Sequence, residues 1–367
     1  CLVSKRRRDS ISPMAHIFVG DTKYVTVTVS NDGEDNQHCL TGSEKVKCKT
    51  IKYVLDHAEE HSIKGITVDG GKNNIYNSCS HTVEWKVNVK CKFKFVGIQN
   101  KVNTKFPNFN CSLFFEGSTT KCYVEIVNFV LHYQHIYIQN SFSIHLENVT
   151  FVNTEFTGFQ TEHVNSSLNI EIISCYFTNN YKLLDHHITY FNGINFKISF
   201  LHFLVKNSSF NNYTITISSQ NFAILFHDVN CYTSHDHDLF SLQPLVYKGR
   251  SFRSSRKVEF IYFRAFAVLN KKYPFFFVTS LKYVDISIFD SYFENMANTV
   301  LVVQFSSHRI IKFNFLIQNC TIFQTHNHKN HRAIEINFKE ENMILLESNI
   351  IITNCTFTNH SAQHGAA

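Results

Sequence analysis

Few places in this chain carry residue types that could do chemistry. Three are rich in histidine: His235-Asp-His-Asp238, Asp185-His-His187, and His326 with His328 and His331. Imidazole nitrogens beside carboxylates can hold a transition metal. Alternating His and Asp in a polar stretch is equally the composition of a solvated loop, so no metal is assigned. No Gly-rich phosphate loop is present, and no Ser or Cys has an identifiable base. No catalytic residue and no cofactor is therefore expected.

The cysteines and asparagines carry a different chemistry. There are 11 Cys and eight Asn-X-Ser/Thr sites, at Asn110, Asn148, Asn165, Asn207, Asn212, Asn319, Asn354 and Asn359. Both features favour an oxidising, secretory route. Six Cys fall in sequential pairs, Cys39/Cys48, Cys79/Cys91 and Cys111/Cys122. Adjacent pairing is the simplest arrangement, although six Cys allow about 15 connectivities. No metal-type Cys-x-x-Cys is present.

The elements that must position these residues announce themselves by repetition. A polar residue, a small one, any residue and then a large apolar one return as Asn148-Val-Thr-Phe151, Ser174-Cys-Tyr-Phe177, Asn207-Ser-Ser-Phe210, Val229-Asn-Cys-Tyr232, Asp290-Ser-Tyr-Phe293, Asn319-Cys-Thr-Ile322 and Asn354-Cys-Thr-Phe357. Their last residues lie 26, 33, 22, 61, 29 and 35 apart (177−151, 210−177, 232−210, 293−232, 322−293, 357−322). Periods of that size mean stacked coils. The 61-residue gap predicts one hidden coil of variant sequence plus an insertion over 233–257.

Composition agrees. With 36 Phe and 16 Tyr against 12 Gly and 4 Pro, strands are favoured and tight hairpins are not. Strand alternation predicts a core ladder of Phe151, Phe177, Phe210, Tyr232, Phe293, Ile322 and Phe357. Beside it runs a ladder of smaller residues: Val149, Cys175, Ser208, Asn230, Ser291, Cys320 and Cys355. The Asn of the phrase stands at a bend. At Asn148, Asn207, Asn319 and Asn354 it either points inward into a side-chain ladder or carries a glycan. Asn165, Asn212 and Asn359 lie outside that position and are the better glycosylation candidates.

Ahead of the repeats, residues 1–15 read as a disordered leader and residues 16–64 as a cap. The cap comprises a strand, a loop that Cys39 and Cys48 could close, and one helix over 50–61. Thr50 is its N-cap, and Ile51, Val54 and Leu55 form the apolar face that would cover the first coil. Residues 65–367 read as coils, and the sequence stops part-way through what resembles another one. Basic residues cluster at Lys5-Arg6-Arg7-Arg8 and at Lys248, Arg250, Arg253, Arg256 and Lys257, which read as a solvated tail and loop. A net charge of +6 without a basic stripe argues against nucleic acid.

These phrases resemble the repeat of right-handed parallel β-helix proteins of the pectin-lyase-like superfamily. The likeness is greatest to chlamydial polymorphic outer-membrane proteins and to animal extracellular proteins built on the same unit. Phe177-Thr-Asn-Asn180 resembles their Phe-x-x-Asn phrase. His364-Gly-Ala366 and Arg332-Ala-Ile334 resemble their Gly-Gly-Ala-Ile phrase in part. The segment from Gly33 through Cys39, Cys48-Lys-Thr-Ile51 and Asp69-Gly-Gly71 resembles their capped start. The resemblance implies an all-β, right-handed parallel solenoid outside the cell. Many enzymes of that fold cut acidic polysaccharides, yet the hydrolases' Asn-Thr-Asp, Asp-Asp, Gly-His-Gly and Arg-Ile-Lys phrases are absent here, and with them the two placed carboxylates such hydrolysis requires. The expectation is an extracellular scaffold for recognition or adhesion. Its ligand would be a carbohydrate or a protein, not nucleic acid, and any membrane association would come through regions outside this sequence. A polysaccharide lyase is the alternative.

Overall fold

The structure is a computed structural model. It describes residues 25–43, 45–69, 75–76, 93–98, 107–109, 113–117, 122–132, 135–159, 166–179, 193–233, 240–244, 256–267, 276–280, 283–294, 299–305, 310–323, 333–338, 344–345 and 348–358. The leader over 1–15, Cys79, Cys91, Cys111, Asn165, Asn359 and all three histidine-rich spots lie outside the described residues.

The chain is an all-β parallel solenoid, and among the described residues every strand pairing is parallel. Three faces run along it. Among the described residues face A stacks twelve segments: Val25–Ser30, Ile63–Asp69, Phe93–Ile98, 123–127, 142–147, Ser167–Ile173, 200–206, 221–227, Arg256–Ile261, Tyr283–Phe289, 312–318 and Asn349–Thr353. Face B stacks short segments that include 149–152, Tyr176–Thr178, 208–211, 229–233, Arg264–Ala267, Tyr292–Glu294, Thr321–Phe323 and Thr356–Thr358. Face C runs from Leu113–Gly117 through His135–Asn140, Glu155–Phe159, 193–198, 214–219, Phe240–Pro244, Phe276–Ser280 and Leu301–Phe305 to Ile334–Phe338. Side chains from all three faces meet in one core.

From the coil of 123–127 onward, the described chain turns between faces A and B on one left-handed residue. Asn128, Asn148, Ser174, Asn207, Asp228, Tyr262, Asp290, Asn319 and Asn354 all have φ between 47° and 64°. Asn and Asp tolerate that backbone better than other side chains. The bend shifts the alternation by one: Leu146 is buried, Glu147 and Asn148 are not, and Val149 is buried again. The phrase in the sequence is the trace of this turn.

The apolar ladder follows. Phe151, Phe177 and Phe210 are register neighbours, with ring centroids 4.3 and 4.6 Å apart and nearly parallel planes. Tyr232 does not belong to it. Phe210 pairs with Cys231, Cys231 with Ala265, and Ala265 with Phe293, Ile322 and Phe357 in turn. Tyr232 is 47% exposed on the outer side. The bend of that coil is Asp228, because β-branched Val229 is a poor left-handed residue. Val229, not Asn230, is accordingly the buried member of the smaller ladder.

The hidden coil is present, with its bend at Tyr262. The expected insertion over 233–257 holds a genuine face C strand, Phe240–Pro244, and Arg256 and Lys257 open a face A strand. They are therefore not loop residues: Arg256 Nε donates to the Gln220 carbonyl at 2.8 Å, and Lys257 pairs with Glu259 at 2.8 Å.

In the cap, Val25–Ser30 pairs with Ile63–Asp69, and Cys48 bridges onto Val29 at the outer edge. Cys39 and Cys48 form a disulfide. Gly33 lies so close to Cys48 that a Cβ would fall 2.2 Å from its carbonyl oxygen. The helix is Ile51–Asp56, shorter than expected, because the chain must turn through 57–62 to enter the strand at Ile63. Thr50 is its N-cap, accepting from the Tyr53 N–H at 3.2 Å. Ile51 and Val54 are buried in the core, with Leu55 packed against it.

Replacing Phe177 by Ala should cost about 3–5 kcal/mol, since it removes a ring buried between two others. Phe357, only partly buried, should cost less. Urea denaturation of the two variants checks this; equal losses would contradict the ladder.

Candidate functional site

Outward positions of face A gather charged groups from different coils. Lys94, Glu125, His145 and Glu171 are successive register neighbours. Lys94 Nζ lies 2.5 Å from Glu125 Oε1. His145 Nδ1 lies 3.0 Å from Glu171 Oε2, and its Nε2 lies 3.6 Å from Glu147 Oε2. The bond to Glu171 raises the His145 pKa above its ordinary value, against the opposing effect of burial, and Glu147 and Glu125 add to the rise. Tyr123 stands beside them. Burial, then the Glu125, Glu171 and Glu147 charges, push its phenol upward. A tyrosine acting as a base needs the opposite shift.

Similar cross-coil pairs recur elsewhere. His135 and Glu155 meet at 3.0 Å on face C, and the bond lowers the Glu155 pKa. Asn314 donates to Asp285 at 2.7 Å, and Asn349 donates to Asn314 at 3.2 Å. These groups are held by partners one coil away. Among the described residues no group of three or more His, Cys, Asp or Glu could hold a metal. The buried thiols are poor nucleophiles: burial pushes Cys175 up to about 12 and Cys320 up to about 11, and holds Cys231 well above the ordinary range.

Face B shows a different surface. Its outer side has two rows, and each of three successive coils places one aromatic in one row or the other. Asn230, Arg264 and Tyr292 are register neighbours in one row, and Tyr232, Phe266 and Glu294 in the other. The Phe266 and Tyr292 rings are 6.2 Å apart. Tyr262 at the adjoining bend is 52% exposed and packs edge-on against His227 at 5.7 Å. Tyr232, Tyr262 and Tyr292 are among the largest exposed apolar side chains described. Tyr176, two coils before Tyr232 on the same face, is also exposed.

The asparagines divide between two corners. Asn148, Asn207, Asn319 and Asn354 are exposed at the A–B bend, so an inward ladder there is not what forms. Asn148 Nδ2 donates to Asn128 Oδ1 at 3.2 Å, and Asn319 Nδ2 to Asp290 Oδ1 at 2.9 Å, on the outside. Buried Asn instead occupy the B–C corner, at Asn153 and Asn179. Asn179 Nδ2 donates to the Asn212 carbonyl at 2.7 Å, and Asn212, partly buried, stands at that second corner. Cys122 is buried immediately before the strand Tyr123–His132.

The face A cluster and the face B patch were not singled out from sequence. Their members come one to three per coil, and successive coils are some twenty or more residues apart. The available signal was the outward phase of each strand once the bend is known.

Comparison with protein-family models, with curated proteins and with solved structures finds no match. Among the described residues no helix is long and apolar enough to cross a membrane.

The His145 cluster makes a pH prediction. A pKa raised by folding stabilises below the unfolded value, near 6.5, and that contribution is lost as pH rises through the folded value. Relative to His145→Gln, the native chain should gain about 1 kcal/mol or less on moving from pH 8 to pH 5.5. Urea midpoints at the two pH values measure it; an identical difference at both would reject the pairing.

Proposed function

We propose that this chain is an extracellular scaffold for recognition or adhesion, a right-handed β-helix of the pectin-lyase-like kind. Its repeats resemble those of chlamydial polymorphic outer-membrane proteins. The observation that carries the reading is the outward aromatic patch of Tyr232, Tyr262, Phe266 and Tyr292 with Arg264 and Asn230. Rings with exposed faces bind apolar surfaces, including the C–H faces of sugars, while guanidinium and amide groups orient a polar ligand. Rigid strands hold these groups, so little conformational entropy is lost on binding. The ligand class is carbohydrate or protein. The disulfide in the cap supports an oxidising setting.

One observation favours the second reading, a polysaccharide lyase. Glu125, Glu147, Glu171, His145, Lys94 and Tyr123 share one face. Against it, the acidic groups already have partners, and the Tyr123 phenol is shifted away from base strength.

Incubation with neutral and acidic polysaccharides separates the two. Retention on at least one polysaccharide or on a cell-surface protein extract, lost in Tyr232→Ala/Tyr292→Ala, is the expected result. Removing two central aromatic anchors should weaken binding by about 2 kcal/mol or more, roughly thirtyfold. Release of unsaturated or reducing ends, abolished by His145→Gln, would reject the scaffold in favour of the lyase.

A further inference from the structure

We propose that Asn148, Asn207, Asn319 and Asn354 carry N-linked glycans in file along the A–B bend, and that these frame a sequon-free window over the aromatic patch. The inference rests on the secretory setting proposed above.

The geometry of the bend makes these positions acceptors. In each coil the left-handed residue points outward, the next residue points inward, and the one after that points outward again. A sequon needs an amide at the first position and a hydroxyl at the third. Both therefore fall on the solvent side, as Asn148/Thr150, Asn207/Ser209, Asn319/Thr321 and Asn354/Thr356. All four Asn are exposed, and all have φ between 47° and 55°. A glycan there leaves the core untouched.

The side-chain hydrogen bonds along the edge are compatible with the modification. The donor is a polyprenyl-diphosphate-linked oligosaccharide. The bond from the amide nitrogen to sugar C1 forms, the C1–O bond to the diphosphate breaks, and the nitrogen gives up one proton as the diphosphate leaves. One N–H remains. Asn148 can still donate to Asn128, and Asn319 to Asp290, as they do now.

The order of bends is what gives the edge a function. Along the stack it runs Asn148, Ser174, Asn207, then Asp228, Tyr262, Asp290, then Asn319 and Asn354. The three middle bends have no acceptor. These are the coils that bear Tyr232, Tyr262, Arg264, Phe266 and Tyr292. With coils about 4.8 Å apart, Asn207 and Asn319 stand four steps apart, about 19 Å. Glycans would shield the edge on both sides and leave the patch open between them.

The full chain, secreted from a eukaryotic cell, tests this by site mapping. Peptide-N-glycosidase in heavy-oxygen water converts each occupied Asn to labelled Asp. Label at Asn148, at Asn207 and at one or both of Asn319 and Asn354 is expected. Label at Asn212 or another sequon with none at the bend would overturn the proposal and leave the secretory reading standing. No label at any of the eight sites, with reduced thiols at Cys39 and Cys48, would overturn both. Thr150→Ala and Thr321→Ala, which keep the bend residue, should each remove one glycan without unfolding. Nitration by tetranitromethane reads the window. Tyr232 and Tyr292 should react equally before and after enzymatic deglycosylation, whereas Tyr176, which lies between Asn148 and Asn207, should gain reactivity. Equal gains at all three would reject the window.

Discussion

A parallel backbone ladder holds each described coil in register with the next, and from Asn128 onward a left-handed residue turns the chain at the same height in successive coils. Nearly everything else follows from that constraint. Strand side chains alternate with a period of two, so a slip of one residue would expose every buried rung. The bend prevents the slip, because the residue in the left-handed conformation must be one that tolerates it. Where a coil offers Asp228 beside Val229, the choice is made by backbone energy and not by which neighbour completes the more regular phrase. The outward side chains are fixed by the same choice. Cross-coil pairs such as His145 with Glu171 exist because register brings them together, and each pair in turn resists the slip.

The middle of the solenoid shows how packing accommodates variation within this frame. Phe210 and Phe293 are bulky rungs, but Cys231 and Ala265 between them are small. An interior at crystal-like density cannot leave that volume empty. The other faces fill it. Phe226 and Phe260 of face A stack at 5.2 Å, Phe240 and Phe276 of face C pack against Phe260, and Phe263 just after the bend reaches Phe226 and Phe276. The bulk thus comes from faces A and C and from Phe263 where the rungs Cys231 and Ala265 are small, the kind of exchange that cores tolerate. In these coils large aromatics also occupy the outer rows of face B, at Tyr232 and Phe266. The inward thinning and the outward patch lie on the same segments.

The fold was legible in the sequence because the bend leaves a local mark. Asn148, Asn207, Asn319 and Asn354 each precede a small–polar–large triplet, and the interval between triplets is the length of a coil. Thr50 was legible as a cap because one hydroxyl and one helical apolar face suffice to identify it. Failures came where the mark is ambiguous or absent. Tyr232 looked like a rung because an aromatic ended the phrase, yet Val229 at the supposed bend was a warning. Tyr262 is a bend that no Asn announces. The end of the helix depended on where the chain had to enter its first full strand, a tertiary requirement. Whether a bend Asn faces in or out depends on which of two corners it occupies, and among the described residues Asn153 and Asn179 are the interior ones. The surface sites were least visible, since Glu125, His145 and Glu171 are neighbours in space through register alone.

That last property bears on what a solenoid of this kind can do. Each coil contributes only up to a few outward side chains to a face, so an extended site must be assembled across coils at a spacing set by the backbone. Such a lattice suits a ligand that is itself extended and contacts many coils weakly. It suits catalysis only where side chains of neighbouring coils converge with their charges uncommitted. On face A they do converge, but Lys94 and His145 neutralise Glu125 and Glu171, and the carboxylates in turn hold His145 toward its charged form. Removing a proton from His145 would weaken the hydrogen bond that raises its pKa. The cluster is therefore most stable in the protonation state least suited to act as a base. On face B the rings are held by contacts such as Tyr262 with His227 and Phe266 with Tyr292, and the exposed area of Tyr232, Tyr262 and Tyr292 is open to a ligand without first breaking an ion pair.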